Sequence, residues 1–192
     1  MKEQFITLLN QIERPGIDIL ADFLEESDFY TAPCSTKYHL SVPGGLVKHS
    51  INVFKLLALK NKHYKLDIDQ ETILVCGLLH DICKVNFYGT DFRNVKNDQT
   101  GQWERKQIYI VKDQFPMGHG EKSVILLQRY INLTFDEQLA IRWHMGAFTD
   151  GFDSYALSNA YHAACKESKL VTALFTADVE AAQIFEAEQP AG

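Results

Sequence analysis

Gly77-Leu78-Leu79-His80-Asp81-Ile82-Cys83-Lys84 sets a histidine and an aspartate side by side in an otherwise apolar stretch. From about Asp69 to Val85, the residues Ile73, Leu74, Val75, Cys76, Leu78, Leu79 and Ile82 cover most sides of a helix, which predicts a buried one. An ionised Asp81 left without a partner in such a helix costs several kcal/mol. Something positive must therefore face it. Two sources are open: a metal ion shared with other parts of the chain, or an ion pair with His80 or Lys84.

The chain around this stretch has 192 residues, 46% of them hydrophobic, enough for one domain with a proper core. Its net charge of −6 argues against avid binding of duplex nucleic acid or of an anionic membrane, because a basic surface supplies that affinity. The four cysteines form no Cys-x-x-Cys pair, and Cys76 and Cys83 lie roughly 10 Å apart along one helix, too far for a disulfide. That pattern suits a reducing cytosol. No apolar run approaches the roughly 20 residues of a membrane span, and the start MKEQFITLLNQ reads as an amphipathic helix without signal-peptide architecture. The expectation is a soluble, cytoplasmic protein.

Working outward, Phe5, Leu8, Leu9 and Ile12 recur at helical spacing, and Arg14-Pro15-Gly16 breaks that helix before a second carrying Ile17, Leu20, Phe23 and Leu24. Thr31 to Gly45, with two prolines and two glycines, reads as a loop into a helix from Leu46 to Asn61. There Leu46, His49, Val53, Leu56 and Leu57 share one stripe, which puts His49 on the apolar side. Asn86 to Met117 alternates apolar and polar residues about a DQTG turn, which predicts a β-hairpin or ordered excursion able to wall a substrate cleft. His119, flanked by Gly118 and Gly120, falls at a helix N-terminus. Thr134 and Glu137 have the spacing of a capping box opening a helix over Asp136 to Phe148, where His144 shares a face with Ala140, Ile141 and Phe148. After DGFDS, helices are predicted over Tyr155 to Lys166 and Glu167 to Glu186. Val171, Leu174, Phe175, Asp178, Ala182 and Phe185 form one stripe of the second. Asp178 is thus a second buried acid without an evident partner. The closing EAEQPAG reads as a loose tail.

A single histidine on an apolar face is usually an ordinary core residue. Here His49, His144 and Asp178 each lie on the apolar face of a different helix, His80 and Asp81 sit in a mostly apolar one, and His119 occupies a turn. If these faces converge, they supply the imidazole and carboxylate ligands of Zn²⁺, Fe, Mn²⁺ or Ni²⁺ sites. His63 and His162 have no such placement.

The order His49, His80-Asp81, His119, His144, Asp178 resembles the HD-domain superfamily of metal-dependent phosphohydrolases. The likeness runs from about Thr31 to Ala182 and includes the Gly44-Gly45-Leu46 lead-in, the Leu-Leu-His-Asp-Ile-x-Lys core and the late Ala-Asp. It implies an all-α HD-domain helical bundle with the small β-hairpin or excursion inserted around residues 88–112. With the length and periodicity already described, the expectation is a single HD-type domain over 1–192, with packing helices over 1–30, the metal-site core over 31–185 and the tail over 187–192. It further implies that His49, His80, Asp81 and Asp178 hold one metal. His119 and His144 resemble those of the binuclear branch, which includes cyclic-dinucleotide phosphodiesterases and some 3′-to-5′ exoribonucleases. There they hold a second ion bridged by the residue matching Asp81. Trp143 and Met145 flank His144, where many binuclear members have a further histidine.

The cofactor expected from this likeness is one or two divalent transition-metal ions (Fe, Mn, Zn, Ni or Co). The activity expected is metal-dependent hydrolysis of a phosphomonoester or phosphodiester in a nucleotide or similar small phosphorylated substrate, with Asp81 and Lys84 as the catalytic residues. His39, Lys122 and Arg142 are candidates for substrate phosphate contacts, and Tyr38, Trp103 and Tyr109 for stacking on a base. Two alternatives stand beside this: a 3′-to-5′ exonuclease on short single strands, and a non-catalytic nucleotide- or metal-binding module. No duplex nucleic acid or membrane partner is expected, and the oligomeric state is open.

Overall fold

The structure, a computed structural model, describes residues 1–97, 100–148 and 155–187, apart from the side chain of Phe148. The expected DGFDS loop, part of the DQTG turn and the tail beyond residue 187 lie outside the described residues.

Helices α1 (Lys2–Leu9) and α2 (Ile17–Glu26) form where the period predicts, and they bury Phe5, Leu9, Leu20 and Leu24. The break between them carries Arg14, whose guanidinium donates to both oxygens of Glu137 at 2.7 Å and to Glu71 at 3.0 Å. The Glu137 side chain is fully buried. Burial alone would raise the Glu137 carboxyl, but the bonds from Arg14 hold it below the ordinary range. The N-terminal helices are thereby pinned to the segments that carry Glu71 and Glu137.

Helix α3 (Gly45–Tyr64) buries Leu46, His49, Val53 and Leu57, the expected stripe. It packs against α4 (Gln70–Leu79), which Asp69 caps by accepting from the backbone N–H of Glu71 and Thr72. Gly77 makes the close crossing possible, since a Cβ there would lie 2.5 Å from the Cα of Phe54. Contrary to the expected helix through Val85, α4 stops at Leu79. His80 is its last residue with helical geometry, and Asp81 takes φ −102°, ψ 19°, a sparsely populated backbone region. A tight turn, Ile82–Lys84, follows. It swings Lys84 back until its Nζ is 2.6 Å from Asp81 Oδ2, a contact that favours the break over another helical turn.

Strands β1 (Tyr88–Lys96) and β2 (Trp103–Val111) form the expected hairpin, antiparallel, with Tyr88 opposite Val111 and Lys96 opposite Trp103. It projects from a helical frame completed by α5 (His119–Leu127), α6 (Phe135–Arg142), α7 (Tyr155–Glu167) and α8 (Lys169–Glu180). The Thr134–Glu137 capping box is present at the start of α6. Two expected helices are shorter than their periodicity suggests. α6 ends at Arg142, so His144 lies in the following turn, which Gly146 closes at φ 67°. After α8 comes one widened turn, Ala181–Phe185, closed by the Glu186 N–H on the Ala181 carbonyl at 3.1 Å. The extra residue shifts the register, so Phe185 leaves the apolar stripe for solvent and Glu186 turns inward. Among the described residues, no helix is long and apolar enough to cross a membrane.

Candidate metal centre

The residues singled out in sequence come together where α3, α4, α8 and the turn after α6 meet. His49, His80 and His144 are fully buried, and Asp81 and Asp178 nearly so. Asp81 lies at the middle. Its Oδ2 is 3.6 Å from His80 Nε2 and 3.7 Å from His49 Nε2, while its Oδ1 is 3.3 Å from His144 Nε2. Asp178 Oδ1 is 3.0 Å from His49 Nε2.

The other ring nitrogens set the tautomers. His80 Nδ1 faces the Gly77 carbonyl at 3.1 Å, His144 Nδ1 the Ile141 carbonyl at 2.7 Å, and His49 Nδ1 both oxygens of Glu186 at 3.1 Å. Carbonyls and carboxylates only accept, so each Nδ1 carries the proton and donates. In the neutral imidazoles each Nε2 then presents a lone pair to the central carboxylates. All three Nε2 atoms are buried and lack a hydrogen-bond partner among the described residues. A lone pair 3.0 Å from a carboxylate oxygen is tenable only with a cation between them, either a proton or a metal ion.

The electrostatics favour the same conclusion. Burial pushes His80 down to about 4, which keeps it a neutral ligand. Burial also works to lower His49, but the Cys34 thiol and the Asp178 and Glu186 carboxylates reverse this and hold it well above its ordinary value. His144 is likewise raised, against its burial, by Asp81. Burial disfavours the charge on Asp178, yet the nearby His49 brings it down to about 2. Asp81 stays ionised well below the ordinary range, with Lys84 the strongest influence against its burial. With the imidazoles neutral, as metal ligands must be, one ammonium faces three carboxylates (Asp81, Asp178, Glu186), and a divalent cation matches the remainder. Without a metal, protons on His49 and His144 take its place. His49, His80 and Asp81 place their ligand atoms within 4.8 Å of one another and could hold such an ion.

The remaining candidates are less central. His119, the first residue of α5, sets Nδ1 3.3 Å from Cys83 Sγ, and Cys83 reaches Asp81 at 3.9 Å. Burial holds the His119 imidazole below its ordinary value. His39 lies beside the centre, its ring centroid 5.1 Å from that of His49. The Lys122 ammonium pairs with Asp113 and lies over the Phe87 ring. Arg142 pairs with Glu121 and stacks on Trp143.

Two residues at the centre escaped the sequence reading. Glu186, expected only as the last residue of a helix where the loose tail begins, is buried, grips His49 and is itself held by Asn52 at 2.9 Å. Cys34, in the loop before α3, lies 3.3 Å from His39 Nε2 and 3.6 Å from Lys84 Nζ. Burial opposes its ionisation, but the charges of His49 and Lys84 bring the thiol down to about 7. Gly45 lets this loop lie on the start of α3, since a Cβ there would meet the Leu40 carbonyl oxygen at 2.1 Å. A cleft of about 490 Å³, lined by Tyr38, His39, Gln183 and Glu186 among others, opens beside the centre.

The family model described as "HD domain" matches residues 46–179, which include every residue of the cluster except Cys34, His39 and Glu186. No curated protein and no solved structure matches the chain.

Proposed function

Because the chain belongs to the HD-domain family, whose members are mostly metal-dependent hydrolases, we propose that it is a metal-dependent phosphohydrolase. Its substrate, in this reading, is a nucleotide or similar small phosphorylated molecule, cleaved at a phosphomonoester or phosphodiester bond. The observation that carries it is the set of three buried imidazole Nε2 atoms, without a hydrogen-bond partner among the described residues, turned towards two ionised aspartates.

In this reading His49, His80, Asp81 and Asp178 hold a divalent ion. His144 faces the other oxygen of Asp81, where it and His119 would serve a second. Bound there, the metal supplies Lewis acidity to a water nucleophile and to the phosphoryl oxygens. The chain's own residues do the rest. Glu186 fixes the tautomer and direction of His49 through its Nδ1. Asp81, backed by Lys84, anchors the centre without taking a proton. In this reading Lys84, a cation 2.6 Å from that carboxylate, would meet a phosphoryl oxygen and stabilise charge as it grows during in-line displacement. His39, on the cleft wall, is a second contact for the substrate.

The test is a panel of phosphomonoesters, phosphodiesters and nucleotides incubated with protein loaded with Mn²⁺, Co²⁺, Zn²⁺ or Fe²⁺, and with chelated protein as control. Metal-dependent turnover of at least one class is expected. Metal and nucleotide binding without any turnover would point to a sensing module instead.

A further inference from the structure

The hairpin carries chemistry that the metal centre does not use. Between β1, β2 and the loop before α3 runs a groove of about 590 Å³, lined by Lys37, Arg93, Lys96, Trp103, Ile108 and Tyr109 among others. Lys37, Arg93, Lys96 and the neighbouring Lys106 form no ion pair with any described residue, in a chain whose net charge is −6. Arg93 and Lys106 stand directly opposite each other across the ladder, a like-charge pair that weakens a free hairpin. The acids nearest in register do not relieve it. Glu104 accepts from Asn97 at 2.6 Å, and Asp91 accepts the backbone N–H of Phe92 at 2.7 Å. Trp103 leaves its indole 71% exposed.

The groove and the metal centre share one wall. Lys37 faces the groove, while Cys34 and His39, from the same loop, adjoin His49. Tyr88, at the base of the hairpin, donates its hydroxyl to the Cys34 carbonyl at 2.8 Å and ties the two together. Unpaired cations interleaved with open aromatic faces suit a ligand that alternates phosphates with flat rings. We propose that this groove binds single-stranded nucleic acid, with backbone phosphates on Lys37 and Lys96 and bases stacked on Trp103 and Tyr109, which share one face of the hairpin with Lys96. A strand lying there leads over the loop at residues 34–39 towards the centre, so a phosphodiester of the strand is the bond offered for cleavage. That last step rests on the phosphohydrolase reading; the binding does not.

The experiment is fluorescence anisotropy of short labelled oligonucleotides, DNA and RNA, with the full chain kept in chelator so that nothing is cleaved. Two phosphate contacts on a single strand give a slope of log affinity against log salt of about −1.4. Replacing both Lys37 and Lys96 by alanine should flatten that slope, and Trp103→Ala should weaken binding about tenfold. Both variants should keep the wild-type circular dichroism and thermal midpoint, so that a loss of strand binding is not a loss of fold. Undetectable strand binding, or binding that the variants leave unchanged, overturns the proposal. So does equal competition by poly-glutamate, which would mark the groove as a site for acidic protein segments. Groove-dependent strand binding in a metal-loaded protein that hydrolyses no phosphoester upholds the groove and counts against the phosphohydrolase reading alone.

Discussion

Glu186 accepts the Nδ1–H of His49 with both carboxylate oxygens, each 3.1 Å away, from 137 residues along the chain. A carboxylate behind a metal-facing imidazole fixes its tautomer and raises its basicity. Glu186→Gln should therefore lower divalent-metal affinity about 10- to 100-fold while leaving far-ultraviolet circular dichroism unchanged. Competition against a chromophoric chelator measures this, and Glu186→Asp should recover part of the loss. Wild-type affinity in the Gln variant would mean that His49 is not a ligand.

Lys84 is a cation beside the centre rather than a member of its ligand set. Lys84→Met should keep the metal but lower kcat about a hundredfold, the usual loss when one group stabilising the developing charge is removed. Steady-state kinetics beside elemental analysis separates the two effects. A variant that loses its metal would show that Lys84 acts only by holding Asp81 in place.

Gly120 is where α5 meets α6, and a Cβ there would lie 2.0 Å from the Arg142 carbonyl oxygen. Gly120→Ala must push the helices apart, which should destabilise the protein by about 1–3 kcal/mol in urea titration. The same displacement separates His119 from His144. Binding of a second metal equivalent should therefore weaken more than the first, as read by calorimetric titration.

The Arg14–Glu137 pair contributes to the acid sensitivity of the fold, beside the lowered carboxyls of the centre. The Glu137 carboxyl titrates lower in the folded chain than its ordinary value of 4.5, so it contributes stability above that pH and loses it as pH falls through the folded value. Arg14→Met leaves that buried carboxylate uncompensated and should cost about 3–5 kcal/mol at neutral pH. The gap between variant and wild type should narrow below pH 4.5, as protonation relieves the variant and strips the wild type of its advantage. Denaturant midpoints across the pH range test this, and a gap independent of pH would contradict it.

Most of the bundle and of its centre is legible in sequence because apolar periodicity reports which way a helix faces. His49 and Asp178 announce themselves as polar residues on buried stripes, and both are buried in the structure. Periodicity carries no information where the helix stops. His144 lies beyond α6, Asp81 just past α4, and Glu186 after a widened turn that a continuous helical wheel places wrongly. Cys34 sits in a loop without period, and only the packing of that loop on Gly45 brings it to His39 and Lys84. Asp81 was left with two possible counter-charges. Lys84 supplies one of them, but it leaves the three Nε2 atoms unsatisfied.

Those atoms lead to the decisive measurement: the metal content of purified wild type and of Asp81→Asn, by elemental analysis after exhaustive dialysis. Asparagine keeps the size of the side chain and removes the charge on which His49, His80 and His144 converge. Wild-type protein should retain about one or more equivalents of a divalent transition metal, and the variant should fall to background while its thermal unfolding stays cooperative. A folded Asp81→Asn protein that keeps its full metal complement would contradict the assignment of the centre.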